Sequence, residues 1–437
     1  MPNNITKNTR LFNASQFIES VSEEERSNLY VFVGHAQPRI DDDSIANVTI
    51  LRGESITAEY NMLAAKKVNG ADVCHVVPRI NWKVEEVYDF YDDRDPLLES
   101  KRYYVMNSNY DVYICLWNNN GGRSSSQPVS RSTRSFEMPD GYKWKYLYTI
   151  EPADQLRFLT SRWMPVRSSS VIRRSAVDGK IEVIIVERTG SDYDNNKANN
   201  VITVTGDGEG LLIDHELIDN QITDYVVLDG GANYKYANIT VTHTLGLGSG
   251  AAARVVIPPK GGHGANPVGE LGARYVMVNS RIEYAEGFSD FPTDVEYRTI
   301  GIIKDPEDVF GNPVSRNTAN ANYVLRCNVA SGANFAKNQF ITGNISGANA
   351  FIVTSNVVNT TTVDVRYTQA FNLTENFKGF NIGEQITASN TSSIGVVTEI
   401  APPEIVPYSG EILYIDRRPP VTRSPDQAEN IHIVIAF

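Results

Sequence analysis

The residues that could do chemistry in this chain are plentiful, but their spacing joins them into no familiar reactive set. Six histidines, His35, His75, His215, His243, His263 and His432, fall in separate segments. No HExxH, GxSxG or phosphate-loop signature links them to a nucleophile, a metal or a phosphate. Gly206-Asp207-Gly208-Glu209-Gly210 has the oxygen ligands and glycines of an ion-binding turn. It lacks the ligand series of an EF-hand, and the similar Gly246-Leu247-Gly248-Ser249-Gly250 has no acid, so a plain β turn is expected. Asp41-Asp42-Asp43 and Asp92-Asp93 with Asp95 offer the carboxylate pairs of acid–base or glycosidic chemistry. In polar loops they read as solvated charge. His263 follows Pro258-Pro259-Lys260-Gly261-Gly262 and precedes Gly264, where glycines let a backbone pass a tight corner or another subunit.

Cys74, Cys115 and Cys327 are odd in number and match no zinc spacing. Buried free thiols are expected, as in a protein assembled in a reducing cytoplasm. Trp82, Trp117, Trp144 and Trp163 all lie in the first 165 residues. Such clusters form core or anchor protein–protein interfaces. The net charge of −12 repels phosphate, so nucleic-acid binding is disfavoured. The basic run from Arg123 to Arg134 reads as a solvated loop able to order against a partner. The N-terminal ten residues have no apolar core for a signal peptide, and no run approaches the roughly 20 apolar residues of a membrane helix. No catalytic residue, cofactor or metal is expected, and no membrane insertion.

The elements that must position these residues are mostly strands. There are 22 Tyr and 16 Phe against 6 Met, and Val, Ile and Thr recur throughout, which favours a pleated surface over helices. Helices are expected over 14–30 and 53–70. Strands are expected at 30–34, 73–78, 102–106 and 111–116, with a hairpin turn at Asn107-Ser108-Asn109, and at 142–150. From about 180 a repeat of about 41 residues appears. Ile185 to Tyr193 recurs as Val226 to Tyr234, each followed by a strand and a glycine-rich turn. A weaker repeat, offset by about 45, relates 339–353 to 385–397. The division that follows is a core α+β domain at 1–175, a duplicated β region with the glycine loop at 176–317, a small β module inserted at 318–400, and a segment at 401–437 returning to the core sheet. The apolar ending Ile431 to Phe437 is expected to pair into a sheet, since a free edge invites aggregation.

Two stretches carry a resemblance. Ser409-Gly410-Glu411-Ile412-Leu413-Tyr414-Ile415-Asp416-Arg417-Arg418-Pro419-Pro420 runs into Asp426-Gln427-Ala428-Glu429 and a terminal apolar strand ending in Phe. Asp140-Gly141-Tyr142-Lys143-Trp144-Lys145-Tyr146-Leu147 gives a D-G-Y-x-W-x-Y-L pattern, with Val77-Pro78-Arg79, Trp82, Phe32, Gly34 and Pro38 in matching order. Over roughly 1–170 and 401–437 the chain resembles the baseplate wedge proteins encoded by gene 8 of T4-type contractile-tailed phages. The middle matches weakly, and its Lys260 to Pro267 loop resembles one in long, marine-phage versions.

The resemblance implies a layered β-sandwich core with helices in loops and small inserted β-repeat modules. It implies a non-enzymatic structural protein of the virion, made late, assembled in the host cytoplasm and carried in the tail baseplate. It implies a homodimer that binds other wedge proteins (gene 6, 7 and 10 type products) during assembly and contraction. Trp82, Trp117, Trp144, Arg418, Pro419 and Pro420 are the expected interface residues. The alternative is a receptor- or glycan-binding tail protein, which predicts a trimer. A polysaccharide-degrading enzyme has little support.

Overall fold

The computed structural model describes residues 6–23, 28–39, 42, 52–369 and 378–437. The protein is mainly β, with 44% of residues in strands against 14% in helices, as its branched and aromatic content dictates. The expected first helix lies earlier, at Lys7–Ser22. The second, expected over 53–70, ends at Tyr60 and is followed by a strand at Met62–Lys67. Met62, Leu63, Ala64 and Ala65 are all buried. A short run apolar on both faces carries no period that separates a central strand from a helix. Two compact units result, each assembled from separate stretches of chain.

One unit holds Met1–Ser15, Cys74–Met277 and Val434–Phe437. Its first sheet has the spatial order Tyr104–Met106, Asp111–Asn118, Tyr142–Thr149, Phe136–Glu137. The turn at 107–110 is fixed by Asn107, whose Oδ1 accepts the N–H groups of Asn109 and Asp111 at 2.8 and 2.9 Å. At the chain end Val434 packs with Cys74, Val76, Phe158 and Met277. The Phe437 N–H donates to the Arg274 carbonyl at 3.3 Å.

The 41-residue repeat in this unit folds as a pseudo-twofold pair. The equivalent strands Asn200–Gly206 and Ala237–His243 lie side by side, Asn200 opposite His243 and Gly206 opposite Ala237. Strand Ile184–Arg188 pairs with Ala252–Val255. Its counterpart Gln221–Ala232 pairs with Glu209–Ile218 and has a bulge at the corresponding place. Each copy's tyrosine is clamped by the other copy's glycine turn. The Tyr193 hydroxyl accepts the Ala251 N–H at 3.2 Å, and the Tyr234 hydroxyl accepts the Leu211 N–H at 3.3 Å. A methyl added to Gly248 would meet the Tyr193 ring at 2.6 Å, and one on Gly208 the Tyr234 ring at 2.4 Å. The glycines are there because a ring lies on the backbone.

The other unit holds Gln16–Val73 and Val278–Ile433. Its open sheet has the order Thr318–Asn320, Met62–Lys67, Leu29–Gly34, Val295–Lys304, Glu411–Arg423, so the C-terminal segment joins strands from the start of the chain. The weaker repeat closes a six-stranded barrel. Tyr323–Val329 pairs with its counterpart Thr362–Gln369, and Phe340–Gly343 with its counterpart Gln385–Ala388. Asn349–Asn359 and Ile394–Ala401 complete the ring. Leu325, Ile341, Ile352, Val365 and Ile386 fill the barrel and are fully buried.

Candidate functional site

The tryptophans expected to meet partners divide by depth. Trp144 is completely buried, stacked on Tyr142 at 5.6 Å and met edge-on by Tyr88 at 5.8 Å. Tyr142, Trp144 and Tyr146 alternate on one face of their strand, all buried. Trp144 is therefore core, and the interface role expected for it is corrected: it has no surface to present. Trp82 and Trp117 are half-buried. The Trp82 indole N–H donates to Ser124 Oγ at 3.0 Å, and Trp117 rests against Phe90 at 5.2 Å. Both keep part of a ring exposed over a rigid aromatic floor, the arrangement of an interface anchor.

Asp140 explains the start of that strand. Its Oδ2 accepts from the Ser124 hydroxyl and from the N–H groups of Ser125 and Ser126 at 2.8–3.1 Å. Gly141 follows at φ +78°, a value that suits glycine. In this chain the residues of the D-G-Y-x-W pattern thus build a turn and a core.

Arg418, Pro419 and Pro420 are exposed on strand Glu411–Arg423, the last strand of its sheet. Thr299 faces Arg417 and Tyr297 faces Val421, so these three residues bulge out opposite Arg298 alone. Proline has no N–H for a ladder and is tolerated at edges and bulges. The pair blocks further strand pairing at this point of the edge. Arg418 Nε reaches Asp416 at 2.7 Å.

The expected chemistry settles into structural roles. Asp207 Oδ1 accepts the N–H groups of Lys235 and Tyr236 at 2.9 and 3.1 Å, pinning one repeat copy to the other. The acidic clusters are ion-paired, which corrects the expectation of free solvation. Asp92 takes both Arg254 nitrogens at 2.8 and 2.9 Å, Asp95 pairs with Lys101, and Asp42 holds Arg298 at 2.8 Å. Asp41 and Asp43 lie outside the described residues. Arg131, in the basic run, is tied to the buried Asp111 at 2.9 Å. All three cysteines are free and buried. Burial pushes the Cys74 and Cys327 thiols up to about 12 and raises Cys115 as well, so none is a ready nucleophile.

The sequence reading missed one pair. His263 Nδ1 lies 2.6 Å from Glu270 Oε1, and both side chains are buried. The other Glu270 oxygen accepts the Gly264 N–H at 2.8 Å, and the His263 ring meets Tyr91 edge-on. The glycines around it permit close passage, since a methyl on Gly262 would lie 2.3 Å from the Val177 oxygen. Nearby, Glu182 and Lys145 form a buried pair at 3.2 Å. Burial alone would raise the Glu182 pKa, but Lys145, His263 and Lys143 together hold its carboxyl below the usual range. No motif signals His263–Glu270: the partners are seven residues apart across a turn that Asn266 and Pro267 create.

What the first unit leaves uncovered is a hairpin. Glu209–Ile218 and Gln221–Ala232 form a sheet of their own, joined by Asp219 and Asn220 at φ +48° and +60°. One face buries Leu211, Ile222 and Tyr225. Elsewhere Leu212, Ile218 and Leu228 are 60%, 62% and 68% exposed. Among the described residues no helix is long and apolar enough to cross a membrane. No protein-family model matches the chain, and no curated protein matches it.

Proposed function

We propose that this chain is a structural subunit of a phage tail baseplate wedge, a homodimer gripped by neighbouring wedge proteins. Two kinds of observation support this reading. The sequence resembles gene 8 wedge proteins over its N-terminal and C-terminal stretches. The observation that carries it in the molecule is the exposed apolar surface of the 209–232 hairpin. A two-stranded hairpin is marginal in water, and uncovered leucines on one invite a partner. The half-exposed Trp82 and Trp117 add a second anchoring patch. Wedge proteins of this kind act through interfaces around rigid domains, not through a reactive centre.

Light scattering of the purified chain, together with its recovery from purified tails, tests the proposal. A dimer in solution and stoichiometric presence in tails are expected. Leu212→Ser with Leu228→Ser should leave the melting temperature within a few degrees, because exposed positions change stability by about 0.5 kcal/mol or less. The same variant should lower incorporation into tails. A trimer present in tails would favour a receptor-binding tail protein instead, and a chain absent from tails would sink both readings.

A further inference from the structure

In the second unit a groove of about 500 Å³ runs between the outer wall of the barrel and the turn at 284–294. The barrel contributes Thr354, Ser355 and Asn356 from one strand and Asp364 and Arg366 from the next. The turn contributes Ser289 and Thr293. The polar part of the lining is hydroxyls, one amide, one carboxylate and one guanidinium, and Ala285, Pro292 and Val324 supply an apolar part of similar extent, as suits a sugar ring with hydroxyl edges and apolar faces.

Arg366 is the unusual member. Its guanidinium is half-buried and makes one hydrogen bond, from Nη1 to the Ser289 carbonyl at 2.8 Å. A guanidinium has five N–H donors, so most are left for something else. Among the described residues no carboxylate pairs with it. Asp364, beside it, is held by Arg326 in two hydrogen bonds at 2.9 and 3.1 Å. Asp290 accepts from Thr318 at 2.8 Å and faces Arg316 at 3.9 Å. Burial pulls the Arg366 pKa below its ordinary value, with Asp290 opposing. A desolvated cation with spare donors facing a cavity is half of an ion pair.

The opposite wall is preorganised at an energetic cost. Tyr284, Phe288, Ser289 and Asp294 adopt φ of +52°, +57°, +70° and +59°. Such residues cost roughly 1–3 kcal/mol each and persist where surroundings fix them. Here the fully buried Arg423 donates to the Pro292 carbonyl at 3.1 Å and the Tyr284 carbonyl at 2.6 Å, and stacks over Phe291. The same turn displays Phe288 at 94% exposure and Tyr284 at 55%. Strained backbone and a waiting arginine occur together at one groove, and the aromatics are displayed on the same turn beside it.

We propose that this groove binds an acidic sugar residue, its carboxylate on Arg366 and its hydroxyls on the Ser, Thr and Asn side chains. A planar carboxylate fits the guanidinium fork with two parallel hydrogen bonds. A phosphate dianion fits worse, because Asp364 and Asp290 stand close and, among the described residues, Arg366 is the lone lysine or arginine lining the groove. Ring hydroxyls, each donor and acceptor, suit the hydroxyl and amide side chains, whereas a peptide adding as a strand would want a free edge that the closed barrel does not offer. The assignment stands apart from the assembly role: loss of sugar binding leaves tail incorporation unchanged.

Saturation-transfer NMR on the full chain with D-galacturonate and N-acetylneuraminate tests it, with D-galactose and a short glutamate peptide as controls. At least one acidic sugar should bind about tenfold more tightly than galactose, the worth of one charged bidentate contact. Arg366→Lys, which keeps the charge and loses the fork, should weaken it at least fivefold. Asn356→Ala removes an exposed amide that makes no side-chain hydrogen bond among the described residues, so it folds as the parent does and should weaken binding twofold or more. The assignment is overturned by silence from both acidic sugars, by galactose binding equally well, or by unchanged binding in both variants. A glutamate peptide that displaces the sugars or binds in their place would reassign the groove to a protein partner.

Discussion

The barrel at 323–401 and the paired repeats at 184–255 are both built from a unit that recurs in the sequence, yet they finish their edges differently. In the barrel, equivalent strands pair twice across the pseudo-twofold, and the remaining two strands close the ring. Every strand has two neighbours, so no ladder is left open. In 184–255 the equivalent strands pair once, at Asn200–Gly206 with Ala237–His243. The second copy's Ala252–Val255 then joins that sheet beside Ala237–His243, while the first copy's Glu209–Ile218 stays in a separate hairpin. Closure makes a self-contained body. Failure to close leaves apolar side chains exposed on the hairpin, which is where the assembly proposal places its contacts.

The largest test of this contrast is a cavity in the barrel. Leu325 is fully buried among Cys327, Val365 and Ile386. Leu325→Ala should cost about 2–5 kcal/mol, the usual range for a buried leucine. Because the ladder is closed, amide exchange should quicken throughout 323–401 and stay as it was in 184–255. Exchange confined to the strands beside residue 325 would show that closure does not make the barrel one cooperative unit.

A smaller effect concerns how the barrel copies diverge. Glu384 is buried, and its carboxylate accepts from the Ser346 hydroxyl and from the N–H groups of Ile345, Ser346 and Asn381. Burial opposes its ionisation, but these donors win and hold its pKa below the usual carboxylate value. The stabilisation is therefore fully present above the unfolded carboxyl's pKa, about 4.3, and fades as the pH falls through the lower folded value. The strand of the first copy begins instead after Gln339, whose side-chain oxygen is buried and finds no hydrogen-bond partner among the described residues. Glu384→Gln should cost about 1.5–3 kcal/mol at pH 7, the worth of hydrogen bonds to a charge. It should also flatten the loss of stability between pH 5 and 3, followed by urea unfolding. An unchanged acid slope would mean that another carboxylate carries it.

What could be read from the sequence follows from whether a signal is local. The repeats were legible because Gly190, Tyr193 and their counterparts Gly231 and Tyr234 stand at fixed offsets from a glycine turn. The exchange between copies was not, since a tyrosine's neighbours in sequence are not the glycines it covers. Trp144 and Trp117 looked alike as residues. They part because Trp144 lies buried with Tyr88 and Tyr142 in one cluster, while Trp117 is a half-buried residue packed against the outside of another. The acidic clusters read as solvated because Arg254 and Arg298 lie far along the chain. Arg366 gave no sign at all, since an incomplete ion pair is defined by what fails to surround it.

The finest test removes one oxygen from each copy. Tyr193→Phe and Tyr234→Phe keep the ring over its glycine and delete only the acceptor for the Ala251 or Leu211 N–H. Each should cost about 0.5–1.5 kcal/mol, the net worth of one hydrogen bond. Pseudo-symmetry predicts equal losses; the unequal edges predict otherwise for local opening. Ala251 leads into a strand held on both sides, by Ile184–Arg188 and by Ala237–His243. Leu211 sits in a hairpin whose ladder has no third strand. Tyr234→Phe should therefore quicken amide exchange across 209–232, while Tyr193→Phe leaves 252–255 nearly as protected as before. Equal exchange in the two variants would mean that packing beneath the hairpin, through Leu211, Ile222 and Tyr225, holds it as firmly as a full sheet holds its twin. The hairpin would then be a rigid platform in the free chain, and a partner's grip would add affinity without ordering it.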